Sequence, residues 1–215
     1  PLALALSEHF FPQALMVLPI HAATGNVVLS YNVAVLATFI LSGVGMFLLA
    51  RELTGSAAAA FLAGAAFGFA QYRVDQLGHL QILSSQWMPL ALFGLRRYFT
   101  TGRARPLVWG TLALVALNLS TGYFLLFFLP FVVAYVLGEM WARGRMGDPR
   151  TWRDVSASGA ATMLLTVPFL LPYLAVRLEA VGHRRYDEIV SLSADVLAYA
   201  TASAYVGWWG SMLTA

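Results

Sequence analysis

The stretch VVLSYNVAVLATFILSGVGMFLLA, residues 27–50, decides the class of fold. It carries no charged side chain and is longer than the roughly 20 apolar residues a helix needs to cross a bilayer. Arg51 and Glu52 follow it at once, as expected where a helix leaves the hydrocarbon. The rest of the chain agrees with a membrane setting. It is 60% hydrophobic and only 11% charged, against about 25% charged in soluble domains. Its mean hydropathy is +0.72.

Two further runs have spanning length: 122–141, GYFLLFFLPFVVAYVLGEMW, and 155–176, VSASGAATMLLTVPFLLPYLAV. Three shorter or more polar runs, 56–72, 80–95 and 106–119, bring the expectation to about six spans. The first of these, SAAAAFLAGAAFGFAQY, is rich in Ala and Gly, which lets helix backbones approach closely in lipid; an interior helix is expected there. The expected fold is an all-α, polytopic transmembrane helix bundle with extracytoplasmic loops and interfacial helices. Residues 1–26 read as part of an extracytoplasmic loop with an interfacial helix, 27–178 as the bundle, and 179–215 as a further extracytoplasmic segment. The tail from 196 reads equally as an interfacial or a spanning helix. Pro1 at the start and the apolar end GWWGSMLTA read as the cut ends of a longer protein.

All 13 cations are Arg. If the spans alternate, Arg51, Arg96, Arg97, Arg103, Arg105, Arg143, Arg145, Arg150 and Arg153 share one side, which the positive-inside rule assigns to the cytoplasm. A pI near 9.5 therefore points to orientation in a bilayer and not to nucleic acid. The chain has no Cys, so disulfides and thiolate metal sites are excluded. HExxH spacing and a Gly-rich phosphate loop are absent as well.

The opposite side holds all four His residues and most of the carboxylates. Four groups there are candidates. Between 71 and 81, Arg73, Asp75, His79 and Gln81 form a polar knot. Asp75 and His79 are four apart and would share a helix face. Arg73 and Asp75 alone also read as helix-end caps, whereas His79 and Gln81 enter an apolar run and need partners. Second, Glu8 and His9 in SEH could supply a base or a ligand, or be solvated loop charges. Third, Tyr123 follows the turn NLSTG and sits at head-group depth, where an aromatic ring can meet a sugar or lipid. Fourth, Arg184 and Arg185 pair as a phosphate fork, or pair locally with Asp187 and Glu188. Ser193 in LSAD reads as the cap of a further helix.

The segments SEHFFPQALMVLPIHAATGNVVLSYN, ARELTGS, QYRVDQLGHLQILSSQWMPL, STGYF and LSADVLAYAT resemble bacterial multi-pass proteins of the GT-C glycosyltransferase-like superfamily, in the branch labelled YfhO-like. The likeness runs from about residue 6 to 201. It implies a lipid-linked sugar donor, usually a polyprenyl phosphate sugar, with transfer on the extracytoplasmic face of the bacterial plasma membrane. It also implies an acidic residue in the first outer loop, serving as base or metal contact. A divalent metal ion is then a candidate cofactor. Glu8 or Asp75 would take the acceptor's proton. Arg73, His79, Arg184 and Arg185 would hold the donor phosphate, and His9, Gln81 and Tyr123 would line its site. Glu8 or His9 is expected to approach the 72–81 knot. A lipid or glycan transporter and a non-catalytic scaffold are the rival readings.

Overall fold

A computed structural model describes residues 8–179, 186–191 and 193; His183, Arg184, Arg185 and the tail from 196, for which the sequence raised expectations, lie outside these residues. The described residues are helical, with no strand among them. The chain divides into two compact units, Pro1–Leu174 and Ala175–Ala215. In the second, the described helix is α10 (Tyr186–Ser191), where the Ser193 hydroxyl donates back to the Ile189 carbonyl at 2.6 Å. Ser193 therefore closes α10 on the described side.

The first unit is organised around α2 (Val27–Thr54). Asn26 starts it by accepting the Leu29 N–H at 3.0 Å, an N-cap that satisfies an otherwise orphaned donor. Gly55 stops it in a left-handed conformation, φ 71°, that costs Gly little. At 28 residues α2 is about 42 Å long. It continues past the apolar run through the polar turn Arg51–Thr54. Its buried face is a file of short side chains at helical spacing: Ser30, Ala34, Thr38, Ser42, Gly45, then Leu49.

α1 (Phe11–Thr24) precedes it and packs on it, with Pro19 inside the helix. α3 (Ala57–Gly68) lies against α2 through Ala60, Gly64 and Gly68. A methyl on Gly64 would stand 2.7 Å from the Gly43 carbonyl oxygen, so the two backbones touch. The expected close approach is there, but α3 is not an interior helix: Phe61 and Leu62 on its other face are 72% and 71% exposed. Small residues on one stripe give one intimate contact, and the bulky residues between them turn outward.

After α3 the chain breaks into α4 (Gln71–Asp75) and α5 (Leu80–Leu83) before α6 (Trp87–Thr101). α7 (Ala104–Asn118) returns antiparallel to α6. These two cross at glycines: a Cβ on Gly94 would lie 2.6 Å from the Gly110 Cα and 2.7 Å from the Pro106 oxygen. α8 (Gly122–Ala142) adds Val132, Val136 and Met140 to the core formed by Ala91, Leu95 and Phe99. α9 (Pro149–Glu179) is tied to its neighbours by polar side chains: Tyr98 Oη to Asp154 at 3.1 Å, Thr111 to Ser158 at 2.6 Å and Asn118 to Thr166 at 3.4 Å. Asp148 sits just before α9 and accepts the Thr151 hydroxyl at 2.6 Å, which holds its carboxyl below the usual range.

Three helices are long and apolar enough to cross a membrane: Val27–Thr54, Gly122–Ala142 and the Pro149–Tyr173 part of α9. Large apolar side chains on them, such as Ile40, Phe127 and Leu164, are exposed by more than 60%. This is the surface of a membrane-associated protein. The other three expected spans come out short. α3 has 12 residues, and α6 and α7 have 15 each, about 18–23 Å against a hydrocarbon core of about 30 Å. The run 80–95 is divided by the Ser84–Gln86 turn, whose polar side chains are all buried.

The glycine crossing makes a prediction. Gly94→Ala must push α6 off the α7 backbone, and overpacking of this kind costs about 1–3 kcal/mol. Gly138→Ala meets nothing within 4 Å. Thermal unfolding of the two variants in detergent should show a clear loss for the first and little change for the second. Equal midpoints would contradict the contact.

Candidate functional site

The polar groups of the 71–81 knot go to different places. Arg73 lies on α4, and its guanidinium turns inward until it is 1% exposed. Nη1 donates to Ser85 Oγ at 2.6 Å and Nη2 to the Leu83 carbonyl at 3.0 Å, with Thr38 Oγ1 at 3.4 Å. The group also stands over the Phe39 ring, 4.9 Å from its centroid. Among the described residues it forms no ion pair. Its Nε has no partner, and neither have the nearby buried Ser42 Oγ and the Gln86 amide. A cation expected at the head-group surface is therefore enclosed by protein, solvated by neutral oxygens and an aromatic face.

Asp75 and His79 do not share a helix. α4 ends at Asp75, a turn follows, and His79 is the residue before α5. Both side chains are exposed, and Asp75 takes its contact from Gln71 at 3.5 Å within α4. The i, i+4 reading fails because the helix it needs is one turn long. His79 still serves α5 by its backbone, accepting from Ile82 and Leu83. Gln81 is half-buried and lines a cavity of about 470 Å³ with Gln13, His21, Tyr31 and Gly78. The Tyr31 hydroxyl donates to the Leu77 carbonyl at 3.0 Å, fixing the knot to α2.

Glu8 and His9 meet other partners. Glu8 Oε2 accepts the Gly122 N–H at 3.3 Å, across 114 positions of chain. Gly122 is the first residue of α8, so the carboxylate sits at a positive helix end. The Phe11 N–H donates to the Leu119 carbonyl at 3.3 Å, closing the same junction. His9 packs edge-on against Tyr173 and Phe169, with centroids 5.2 Å and 5.9 Å away. Phe10 between this pair and α1 has φ 51°, rare for a bulky side chain. The strained residue turns the segment so that Glu8 and His9 reach α8 and α9, while α1 runs back over α2. Gln13 and His21 of α1 share the cavity lined by Gly78 and Gln81 of the knot, and so does Phe10 beside His9.

The turn before α8 is as tight as its sequence suggested. Ser120 and Thr121 are fully buried, and Thr121 Oγ1 accepts the Tyr123 N–H at 3.3 Å. The Tyr123 side chain is 57% exposed. One end of the unit therefore brings together Glu8, His9, Tyr123, Phe169 and Tyr173 from three distant parts of the chain. Sequence reading had no signal for Phe169 and Tyr173, which sit in an apolar run like any other. The residues present do not fit a metal: among the described residues no three His, Cys, Asp or Glu side chains gather to hold one.

The arginine-rich end is more structured than its short loops implied. Glu139 bridges Arg96 and Arg143, with both contacts at 2.7 Å, and Glu52 receives Arg97 at 3.3 Å.

Arg73→Ala would leave the Leu83 carbonyl and Ser85 without a donor and open a cavity, at a cost of roughly 2–5 kcal/mol. Arg73→Lys, a point charge without the planar fork, should lose much of the same stability. Wild-type unfolding midpoints in both variants would show that the buried contacts contribute nothing.

Residues 13–215 match the family described as Domain of unknown function (DUF6311), and the chain belongs to that family. No curated protein and no solved structure matches it.

Proposed function

We propose that this DUF6311 member is an integral membrane protein of glycosyltransferase type, transferring a sugar from a polyprenyl-phosphate-linked donor on the extracytoplasmic face of the bacterial plasma membrane. The observation that carries the reading is the placement of Glu8 at the start of α8, 3.3 Å from Gly122, with the His9 ring beside Tyr173. A carboxylate held among aromatic rings at one end of a helical bundle is suited to take a proton from an acceptor hydroxyl while the rings pack on a sugar. The proposal assigns the donor phosphate to His79, exposed on the connection before α5, with Arg184 and Arg185 as further cations. Arg73 is assigned a supporting role, because its donors are turned inward. No step is routed through a metal.

The proposal includes six crossings. α3 with α4, and α5 with α6, act as broken helices that together cover residues 57–75 and 80–101. Non-helical backbone at membrane depth is tolerated where protein buries it, and the buried Ser84–Gln86 turn meets that condition. Broken helices also support a second reading, a lipid or glycan transporter, since such folds bind substrate at interrupted helices.

Two experiments test this. In the full-length protein in proteoliposomes, a panel of polyprenyl-phosphate sugars is offered with membrane acceptors. Glu8→Gln should lower transfer by about a hundred-fold or more at unchanged folding, and His79→Ala should weaken donor binding about ten- to a hundred-fold. Unchanged transfer in Glu8→Gln would reduce Glu8 to a cap on α8. Label that crosses the bilayer without transfer would favour the transporter. For orientation, Ala104→Cys and Gly147→Cys place single thiols at the exposed start of α7 and in the α8–α9 connection, both beside clustered arginines, in a chain without native Cys. Both should resist an impermeant thiol reagent in intact cells, and labelling from outside would reverse the orientation.

A further inference from the structure

A large cavity runs from the Phe11–Leu119 junction to the other end of α7. It is a groove of about 870 Å³ along α7, walled by Trp87, Leu90 and Phe93 of α6, Trp109 and Leu112 of α7, and Met16 of α1. It begins near Phe11 and Leu119, where α7 ends, and runs to Thr101, Arg103 and Arg105, where α7 begins. Its length is thus close to that of α7, about 23 Å for 15 residues. One leaflet of hydrocarbon is about 15 Å deep, half of the 30 Å core. The walls are apolar over nearly their whole extent, and the polar groups collect at one end.

The cations at that end are not equivalent. Arg97 is paired with Glu52 at 3.3 Å. Arg103 and Arg105 are exposed, and neither forms an ion pair among the described residues. They flank the first turn of α7, where no side chain caps the helix, so the helix end adds positive potential beside the two guanidinium groups. Elsewhere on this end the other acids are engaged: Glu139 with Arg96 and Arg143, and Asp154 with Arg153. The groove therefore offers a hydrocarbon-lined channel with two unneutralised forks at its mouth.

We propose that this groove binds an anionic phospholipid of the surrounding bilayer, its phosphate held by Arg103 and Arg105 and one acyl chain laid along α7 between Trp87 and Trp109. Arginine forks match phosphate oxygens in a two-point contact. The chain fits because the groove is at least as long as one leaflet is deep. A polypeptide would leave Arg103 and Arg105 unmatched unless it carried acids at that one end, and a zwitterionic lipid would bring a cation to the same mouth. The proposal rests on neither the glycosyltransferase nor the transporter reading, and it holds whichever face the arginines occupy.

The test uses the purified full-length protein in mixed micelles, titrated with phosphatidylglycerol or phosphatidylcholine brominated on the acyl chain. Bromine quenches nearby indole fluorescence, and Trp87 and Trp109 report from the groove wall. Phosphatidylglycerol should give saturable quenching well before phosphatidylcholine. Arg103→Gln with Arg105→Gln should weaken it about thirty-fold, from about one unit of lipid-surface attraction per Arg; both sites are exposed, so the fold is not at risk. Ala116→Phe, which narrows the groove, should remove the saturable phase with both arginines intact. Inorganic phosphate alone should displace no lipid. Equal quenching by the two lipids, an unchanged curve in the double variant, or displacement by phosphate would each overturn the proposal, the last by assigning the arginines to a soluble anion.

Discussion

Ser30, Ala34, Thr38, Ser42 and Gly45 place a file of short side chains on one face of α2, and the other helices are arranged by what can approach that file. In lipid there is little hydrophobic gain in bringing two apolar helices together, so association depends on close van der Waals contact and on polar side chains. α3 exploits the first on the stripe beside that file, setting Gly64 and Gly68 against Gly43 and the Phe39 and Phe47 positions. α6 exploits it again, with Pro89 and Leu90 in the space left open at Gly45. A larger residue at any of these points would separate backbones that now touch, and the α3–α2–α6 layer would lose its register.

The same file explains how the protein tolerates Arg73. Thr38 lies one turn from Ala34 and Ser42, and only a short hydroxyl there leaves room for a guanidinium from α4. A buried ion pair repays its desolvation only with good geometry, and removing one partner is strongly destabilising. Here the charge is spread instead over Ser85, the Leu83 carbonyl, Thr38 and the Phe39 ring. These groups belong to the irregular chain between α3 and α6 and to α2. The guanidinium thus joins a segment with few helical hydrogen bonds to the longest apolar helix of the unit. It satisfies the Leu83 carbonyl that a broken helix leaves over, which hydrocarbon cannot do.

The long apolar runs were legible in the sequence because length and composition alone decide them: 27–50, 122–141 and 155–176 all fall within helices that meet the spanning criterion. The caps at Asn26, Ser56 and Thr121 each act within three residues, although the sequence reading singled out only Ser193 as one. The short runs were not legible. Nothing in LQILSSQWMPL announces that Ser84, Ser85 and Gln86 are fully enclosed, because their enclosure comes from α2, some forty positions earlier. The knot at 71–81 was legible as a place and not as an arrangement. Its residues were read with a helical period, and the helix that carries Arg73 stops after five residues. Glu8 was singled out, but its neighbour Gly122 is a backbone N–H, which carries no signature in sequence.

The two helices that frame Glu8 are held quite differently from α3. α9 meets the bundle through Thr111–Ser158, Asn118–Thr166 and Tyr98–Asp154, three polar contacts spaced along its length. Interhelical hydrogen bonds of this kind contribute modestly, about 0.6 kcal/mol on average. Above them lie Pro168 and Pro172, inside the helix. Each removes a backbone hydrogen bond and frees a carbonyl one turn earlier, which favours bending at that level. Phe169 and Tyr173, the rings that pack on His9, sit next to those prolines. The rigid part of the candidate site is therefore the Thr121–Gly122 turn with Glu8 docked on it, and the compliant part is the aromatic wall on α9. Bending at that level would move the aromatic wall without disturbing the carboxylate or the close-packed layer behind it.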